Sequence, residues 1–270
     1  MALASSQPSP DPAAEVPLAG GNVSAGVVRV GDTVRRPAGP WTPAVHELLR
    51  YLRSAGFDAA PEPLGLDERG REVLRYVPGV VPSGAARGPD SELLASAAAV
   101  RRAGRLVREF HDIVAGFVPP AGAAWQVLVP PDRQEIIAHH DLAPWNLVIG
   151  KRWVFIDWDL AAPGSRLWDL AWTALGFVPV TADPLDRRPD EGARLRALAD
   201  GYGLAEHGRR DLAALLSPRA EAMHLFLADR AARREEPWLS LWRQGHGAAW
   251  RGSARYAAAH EAAYAAALLA

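Results

Sequence analysis

Only two asparagines occur in this 270-residue chain, and one of them, Asn146, closes the stretch HHDLAPWN that begins at His139. Within it, Asp141 follows His139 by two residues and precedes Asn146 by five. Eleven residues further on, Asp157 ends the apolar run WVFI, and Asp159 follows two residues later. A carboxylate, an amide oxygen and a strand-end carboxylate at these spacings suit phosphoryl transfer. That chemistry needs a base for the attacking hydroxyl, hard oxygen ligands for magnesium and a cation on the phosphates. The pattern predicts Asp141 as the base, Asn146 and Asp157 as magnesium ligands, and Asp159 as a second metal ligand or a nearby charge. The alternative is that Asp141 caps a turn and Asn146 only fixes a loop.

Such groups work only if the fold brings them to a cleft. Residues 20 to 82 read as a small β-rich lobe. GVVRVG and DTVRRP are short β-branched runs around Gly31-Asp32, a hairpin signal. TPAVHELLRYLRSAGF reads as a helix, with Thr42 as N-cap, Pro43 in its first turn, an apolar stripe at Val45, Leu48, Leu49 and Leu52, and Gly56 as its stop. PEPLGLDERGREVLRYVPG reads as a second hairpin turning at Asp67 to Gly70. SGAARGPD, residues 83 to 90, reads as a linker. A long helix then follows, capped by Asp90 or Ser91. NLVIG and WVFID form a strand pair after the HHDLAPWN loop, and from Leu167 onward the chain reads as mostly helical. The expected fold class is α+β, with a small β-rich N-terminal lobe and a larger, mainly helical C-terminal lobe. The expected division is a disordered tail over 1–18, a nucleotide-binding lobe over 19–82, and a lobe with the catalytic loop and acceptor site over 83–270.

Composition removes several alternatives. There are no cysteines, so disulfides, thiolate zinc sites and cysteine nucleophiles are excluded. A net charge of -1 gives no general attraction to nucleic acid or anionic membrane. The arginines are matched by acids and form no dense run, which argues against a nucleic-acid partner. Residues 1–18 lack the basic start and apolar core of a signal peptide. No apolar run reaches membrane-spanning length. A cytoplasmic protein is expected. Lys151 is the sole lysine, and it falls in the hairpin after the catalytic loop.

HHDLAPWN followed by FIDWDLAAPGSRLWDLAW resembles the aminoglycoside phosphotransferase family, whose wider relatives include choline kinases and protein kinases. Within it, GDTVRRPAGPWTPAVHELLRYL is most similar to a bacterial subgroup labelled trifolitoxin-immunity-like. The resemblance spans about residues 20 to 260. It implies a two-lobed protein-kinase-like fold and ATP or GTP as phosphate donor with magnesium. It also implies a small hydroxyl-bearing acceptor, Asp141 as catalytic base, and Asn146 and Asp157 as magnesium ligands. His139 would then support the loop, and Asp169, in WDLA, would anchor the large lobe. The chain departs from the family pattern at three points. His140 stands where the family usually has glycine, Ser165 where it usually has aspartate, and the small-lobe lysine is absent.

An arginine must then replace the lysine. On DTVRRP, Arg36 shares a face with Val34, and Arg35 with Thr33. A cleft face needs an apolar residue and a cation, which favours Arg36, with Arg35 second. Glu47, on the helix, is the expected partner of that arginine. Gly21, in GGNVSAG, would cover the phosphates, and Tyr76 and Val77 would carry backbone contacts to the base. Most of the ten tryptophans are expected in the core, although Trp238, Trp242 and Trp250 are candidates for an acceptor pocket. From Thr181 onward, 13 arginines face 12 acidic residues, so no acidic surplus favours a polycationic acceptor. The rival reading is a nucleotide or metabolite binder without turnover, in an immunity or sequestering role.

Overall fold

The computed structural model describes residues 14–18, 26–82, 91–181, 183 and 187–270. Five short strands form an antiparallel sheet in the order β1-β2-β3-β5-β4. They are β1 (Val16–Pro17), β2 (Val28–Val30), β3 (Thr33–Arg36), β4 (Pro63–Leu66) and β5 (Glu72–Arg75). Val16 and Pro17 pair with Arg29 and Val28, so these two residues belong to the sheet and not to a tail. The β2–β3 hairpin turns at Gly31-Asp32, where Gly31 takes a φ of 58°. Gly21 and the 83–90 segment lie outside the described residues.

The second hairpin, β4–β5, turns on a carboxylate. Asp67 Oδ1 accepts the backbone N–H groups of Arg69 and Arg71, and Oδ2 accepts from the side chains of Arg71 and Arg35. Arg35 is therefore committed to the sheet's own turn. Burial opposes the charge on Asp67, but the bonds from Arg71, Arg69 and Arg35 outweigh it and hold the carboxyl at about 2. Its folded pKa lies below the ordinary carboxylate value, so its contribution to stability is present at neutral pH. That contribution fades as pH falls toward 2.

Between the hairpins, α1 (Thr42–Ser54) buries Val45, Leu48, Leu49 and Leu52 as a single stripe. Trp41, not Thr42, occupies the N-cap; the Thr42 hydroxyl instead accepts the Gly39 N–H. The second long helix starts later than its sequence suggests. Residues 91–94 form a 3₁₀ turn, and α2 (Ala97–Val114) is capped by Ser96, whose hydroxyl accepts the Ala99 N–H. Ser96 wins because it precedes an unbroken helical pattern, whereas Ser91 opens only a short turn.

Among the described residues, two small antiparallel pairs and five α-helices follow α2 in the larger part. The pairs are β6 (Ile136–Ala138) with β9 (Ala162–Gly164), and β7 (Leu147–Ile149) with β8 (Trp153–Phe155). The helices are α3 (Arg166–Phe177), α4 (Glu191–Tyr202), α5 (Glu206–Ala232), α6 (Trp238–Arg243) and α7 (His246–Leu269). One continuous core joins α1, α2, the strand pairs and the late helices. Where α2 meets α4, glycine permits close contact: a Cβ on Gly201 would fall 2.0 Å from the Arg101 carbonyl oxygen. Among the described residues, no helix is long and apolar enough to cross a membrane.

Two outcomes test this account. Gly201→Ala drives a methyl group against the Arg101 backbone and should destabilise the protein by about 1–3 kcal/mol in denaturant unfolding. Asp67→Asn should lower Tm at pH 7, with the difference from wild type shrinking as pH falls from about 4 toward 2.

Candidate active site

The HHDLAPWN loop is hung from one buried carboxylate. Asp169, in the first turn of α3, accepts the backbone N–H of His139 at 3.0 Å and of His140 at 2.8 Å. His111 Nε2, on α2, lies 3.1 Å from the same side chain, and His111 Nδ1 bonds the Tyr202 hydroxyl. Burial opposes the Asp169 charge, but His111 and the neighbouring histidines hold the carboxyl well below the usual range. His139 is fully buried against Trp158, with ring centroids 4.5 Å apart, and its Nδ1 accepts the Asp141 N–H. Burial drives its ring down to about 4, so it is neutral and serves the loop's shape.

His140 takes a φ of 65°, the left-handed region that glycine occupies freely. Space for its ring comes from Gly164, where a Cβ would sit 2.6 Å from His140 Cε1. His140 Nε2 lies 3.3 Å from the carbonyl oxygens of Ala162 and Pro163, which ties the loop to β9. Ser165 accepts the Trp168 N–H as the cap of α3 and donates to Asp132 at 2.6 Å.

Asp141 is held at both carboxylate oxygens. Asn146 Nδ2 donates to Oδ2 at 2.7 Å and to the Asp141 carbonyl at 3.0 Å; Trp172 Nε1 donates to Oδ1 at 2.8 Å. Burial and the nearby Asp157 push Asp141 up to about 7 against these bonds. The Asn146 carbonyl accepts the Ile156 N–H at 2.8 Å, which extends the β7–β8 ladder by one pair. That hairpin therefore places Asn146 beside the segment that carries Asp157. Asp157 has a φ of 64°, and a 3₁₀ turn over Trp158–Leu160 follows. Asp157 and Asp159 thus reach the same cation through a turn and not along an extended strand.

That cation is Arg36. Its Nε lies 3.2 Å from Glu72, its Nη1 3.0 Å from Asp157, and its Nη2 bonds Asp159. Burial opposes the Arg36 charge, yet the three carboxylates hold it firmly protonated. Burial also pushes Asp159 up to about 6 against the pull of Arg36. Glu47 is not the partner of Arg36: it is exposed and pairs with Arg50 on the outer face of α1. The buried face of α1 presents His46 instead, whose Nε2 lies 2.9 Å from Glu72. Glu72 was missed by the sequence reading, although it sits directly across from Arg36 in the β3–β5 register.

Tyr76 and Val77 leave β5 toward the larger part. The Tyr76 N–H donates to the Asp32 carbonyl, and its ring lies 3.9 Å beneath the Arg29 guanidinium. Val80 then bridges Ile149 of β7 through two backbone bonds. Arg219 went unread, and Trp172 was expected only as one of the core tryptophans. Arg219 of α5 is buried, with its guanidinium 4.3 Å above the Trp172 ring, and Trp172 itself bonds Asp141. A crowd of tryptophans around the motif was the only signal for either.

Asn146 keeps its Oδ1, and Asp157 is part-exposed, so a neutral and a charged oxygen are available to a hard cation. Among the described residues, no three His, Asp or Glu side chains converge as a metal cage. Two protein oxygens completed by phosphate and water match the way magnesium is held at phosphoryl-transfer sites. The Asp169 clamp yields a direct test: Asp169→Asn replaces a three-way acceptor and should cost about 3 kcal/mol in chemical unfolding.

A model of the phosphotransferase enzyme family matches residues 120–215, which include the whole HHDLAPWN loop, Asp157, Asp159 and Asp169. The trifolitoxin immunity protein of Rhizobium leguminosarum bv. trifolii is 35% identical over 210 residues, covering 72% of this chain and 76% of that protein. Two solved structures share the fold. A choline/ethanolamine kinase family protein from Mesorhizobium loti aligns with a TM-score of 0.56 at 16% identity, over 92% of this chain and 90% of its own. An amicoumacin kinase in complex with AMP-PNP, Ca2+ and Ami aligns with a TM-score of 0.62 at 13% identity, over 92% and 88%. With this relative, this family match and a kinase-like fold, the chain belongs to the aminoglycoside-phosphotransferase-type phosphotransferase family.

Proposed function

We propose that the protein is a magnesium-dependent phosphotransferase that moves the γ-phosphate of ATP or GTP to a hydroxyl of a small molecule. The observation that carries this reading is the convergence of a doubly held carboxylate, the Asn146 amide oxygen, the part-exposed Asp157 and a buried arginine. Asp141 takes the proton of the attacking hydroxyl. The hydroxyl oxygen bonds to the γ-phosphorus, the bond to the β–γ bridging oxygen breaks, and the nucleoside diphosphate leaves with that electron pair. Asn146 and Asp157 would hold magnesium, which neutralises phosphate charge. Arg36 supplies the cation that a strand lysine supplies elsewhere, and Tyr76 and Val77 offer backbone groups to the base. The work is soluble chemistry of the cytoplasm, and the late helices select the acceptor.

One observation favours a second reading, a binder of nucleotide or metabolite without turnover. Arg36 is already shared among three carboxylates, so phosphate must compete for it. The relative named an immunity protein is compatible with such a role. Asp141→Asn separates the two, because a phenotype that survives this change is not catalysis.

The deciding measurement is thermal stability with ATP and with GTP, each with and without magnesium. Ligand at 100 times its Kd should add about 2.7 kcal/mol of stability. A magnesium-dependent rise in Tm, lost in Asp157→Ala, is expected. No rise with either nucleotide would remove the phosphotransferase reading and leave only a binder of some other metabolite.

A further inference from the structure

Trp172 touches the proposed base directly, yet none of the metal or phosphate roles involves it. Its indole N–H occupies one side of the Asp141 carboxylate, and Asn146 Nδ2 occupies the other. The torsion that turns a carboxylate about its last bond is soft and broad. With Asn146 alone, Asp141 would pivot on a single side-chain hydrogen bond. A second fixed donor on the opposite oxygen sets the plane of the group. Each carboxylate oxygen retains a further acceptor direction, so a hydroxyl proton can still be received.

The indole is itself immobilised. It stacks on Trp250 of α7, with centroids 4.9 Å apart and planes 25° apart. The Arg219 guanidinium lies 4.3 Å from its ring centre, and Arg219 also reaches the His140 carbonyl at 3.4 Å. Trp145, from the catalytic loop, meets it edge-on at 6.3 Å. Cation–π and aromatic contacts of this kind hold a desolvated ring in one orientation. Rotating the indole away from Asp141 would break several of them together. Asn146 is also the expected metal ligand through Oδ1, so its amide answers to two demands. Trp172 answers only to Asp141.

We propose that Trp172 is a positioning residue for phosphoryl transfer: its indole N–H, fixed by Trp250 and Arg219, aims the Asp141 carboxylate at the attacking hydroxyl. The proposal rests on Asp141 being the base of a phosphotransferase. Phenylalanine at this position keeps a ring for Trp250 and Arg219 but has no N–H, so Trp172→Phe isolates the hydrogen bond from the packing.

Two readouts test it. In protein labelled with ¹⁵N at tryptophan, the indole resonance missing from Trp172→Phe belongs to Trp172. Asp141→Ala should shift that resonance and speed its exchange with solvent, while Trp153→Phe leaves it in place. A resonance unmoved by Asp141→Ala overturns the proposal. The second readout is turnover of magnesium and ATP with water as the acceptor. The water oxygen bonds to the γ-phosphorus, ADP leaves with the electron pair of the broken bond, and the proton passes to Asp141. Trp172→Phe should lower kcat about 10- to 100-fold with KM for ATP unchanged, and Trp153→Phe should change neither. An unchanged kcat, or a raised KM alone, overturns the proposal, because the latter would mark ground-state binding. Failure of the underlying reading looks different. The wild type would then show no nucleotide-dependent rise in Tm, and the positioning role would fall even with the indole bond present.

Discussion

Arg36 is buried among Glu72, Asp157 and Asp159, and this one guanidinium joins the strand sheet to the turn that follows β8 in the larger part. A buried cation is tolerated only when carboxylates surround it, and removing one partner of such a pair typically costs about 3–5 kcal/mol. The small sheet, the helix α1 and the β7–β8 hairpin each supply or brace one member of the cluster. Glu72 is steadied by His46, Asp157 by the left-handed turn after β8, and Arg36 by the β3–β5 ladder. The position of Asp157 relative to the small sheet therefore follows from charge as much as from packing.

The large-lobe half of the site has a separate support. Asp169 fixes the backbone at His139 and His140, and the β7–β8 hairpin fixes Asn146, so Asp141 is bracketed on both sides along the chain. The two supports differ in kind. The Arg36 cluster is polar, partly reaches solvent and holds more negative than positive charge. The Asp169 clamp is fully buried and sits beneath the loop. A site built this way can exchange partners around Arg36 while Asp141 stays in place.

Much of this site was legible because its signals are local. HHDLAPWN and Asp157 carry their chemistry in spacing alone, and Arg36 was separable from Arg35 because alternate strand residues face opposite ways. The hairpins announced themselves through Gly31-Asp32 and Asp67 to Gly70. What stayed hidden depends on pairing between distant segments. Glu72 matters because β3 and β5 are neighbours in the sheet, although α1 and β4 lie between them in sequence. Glu47 lies off the apolar stripe of α1, and His46, buried beside Val45, takes the inward place. Trp172 and Arg219 come from α3 and α5, and no periodicity links two helices that meet only in the fold.

The ring of His140 and the bare backbone of Gly164 fit each other as complementary shapes. This lineage's freedom to change is consequently paired. A side chain arriving at position 164 first would collide with the imidazole, whereas a smaller residue arriving first at position 140 would open the way. Substitution at this corner of the protein therefore has a preferred order, position 140 before position 164, and the histidine acts as a ratchet on its neighbour.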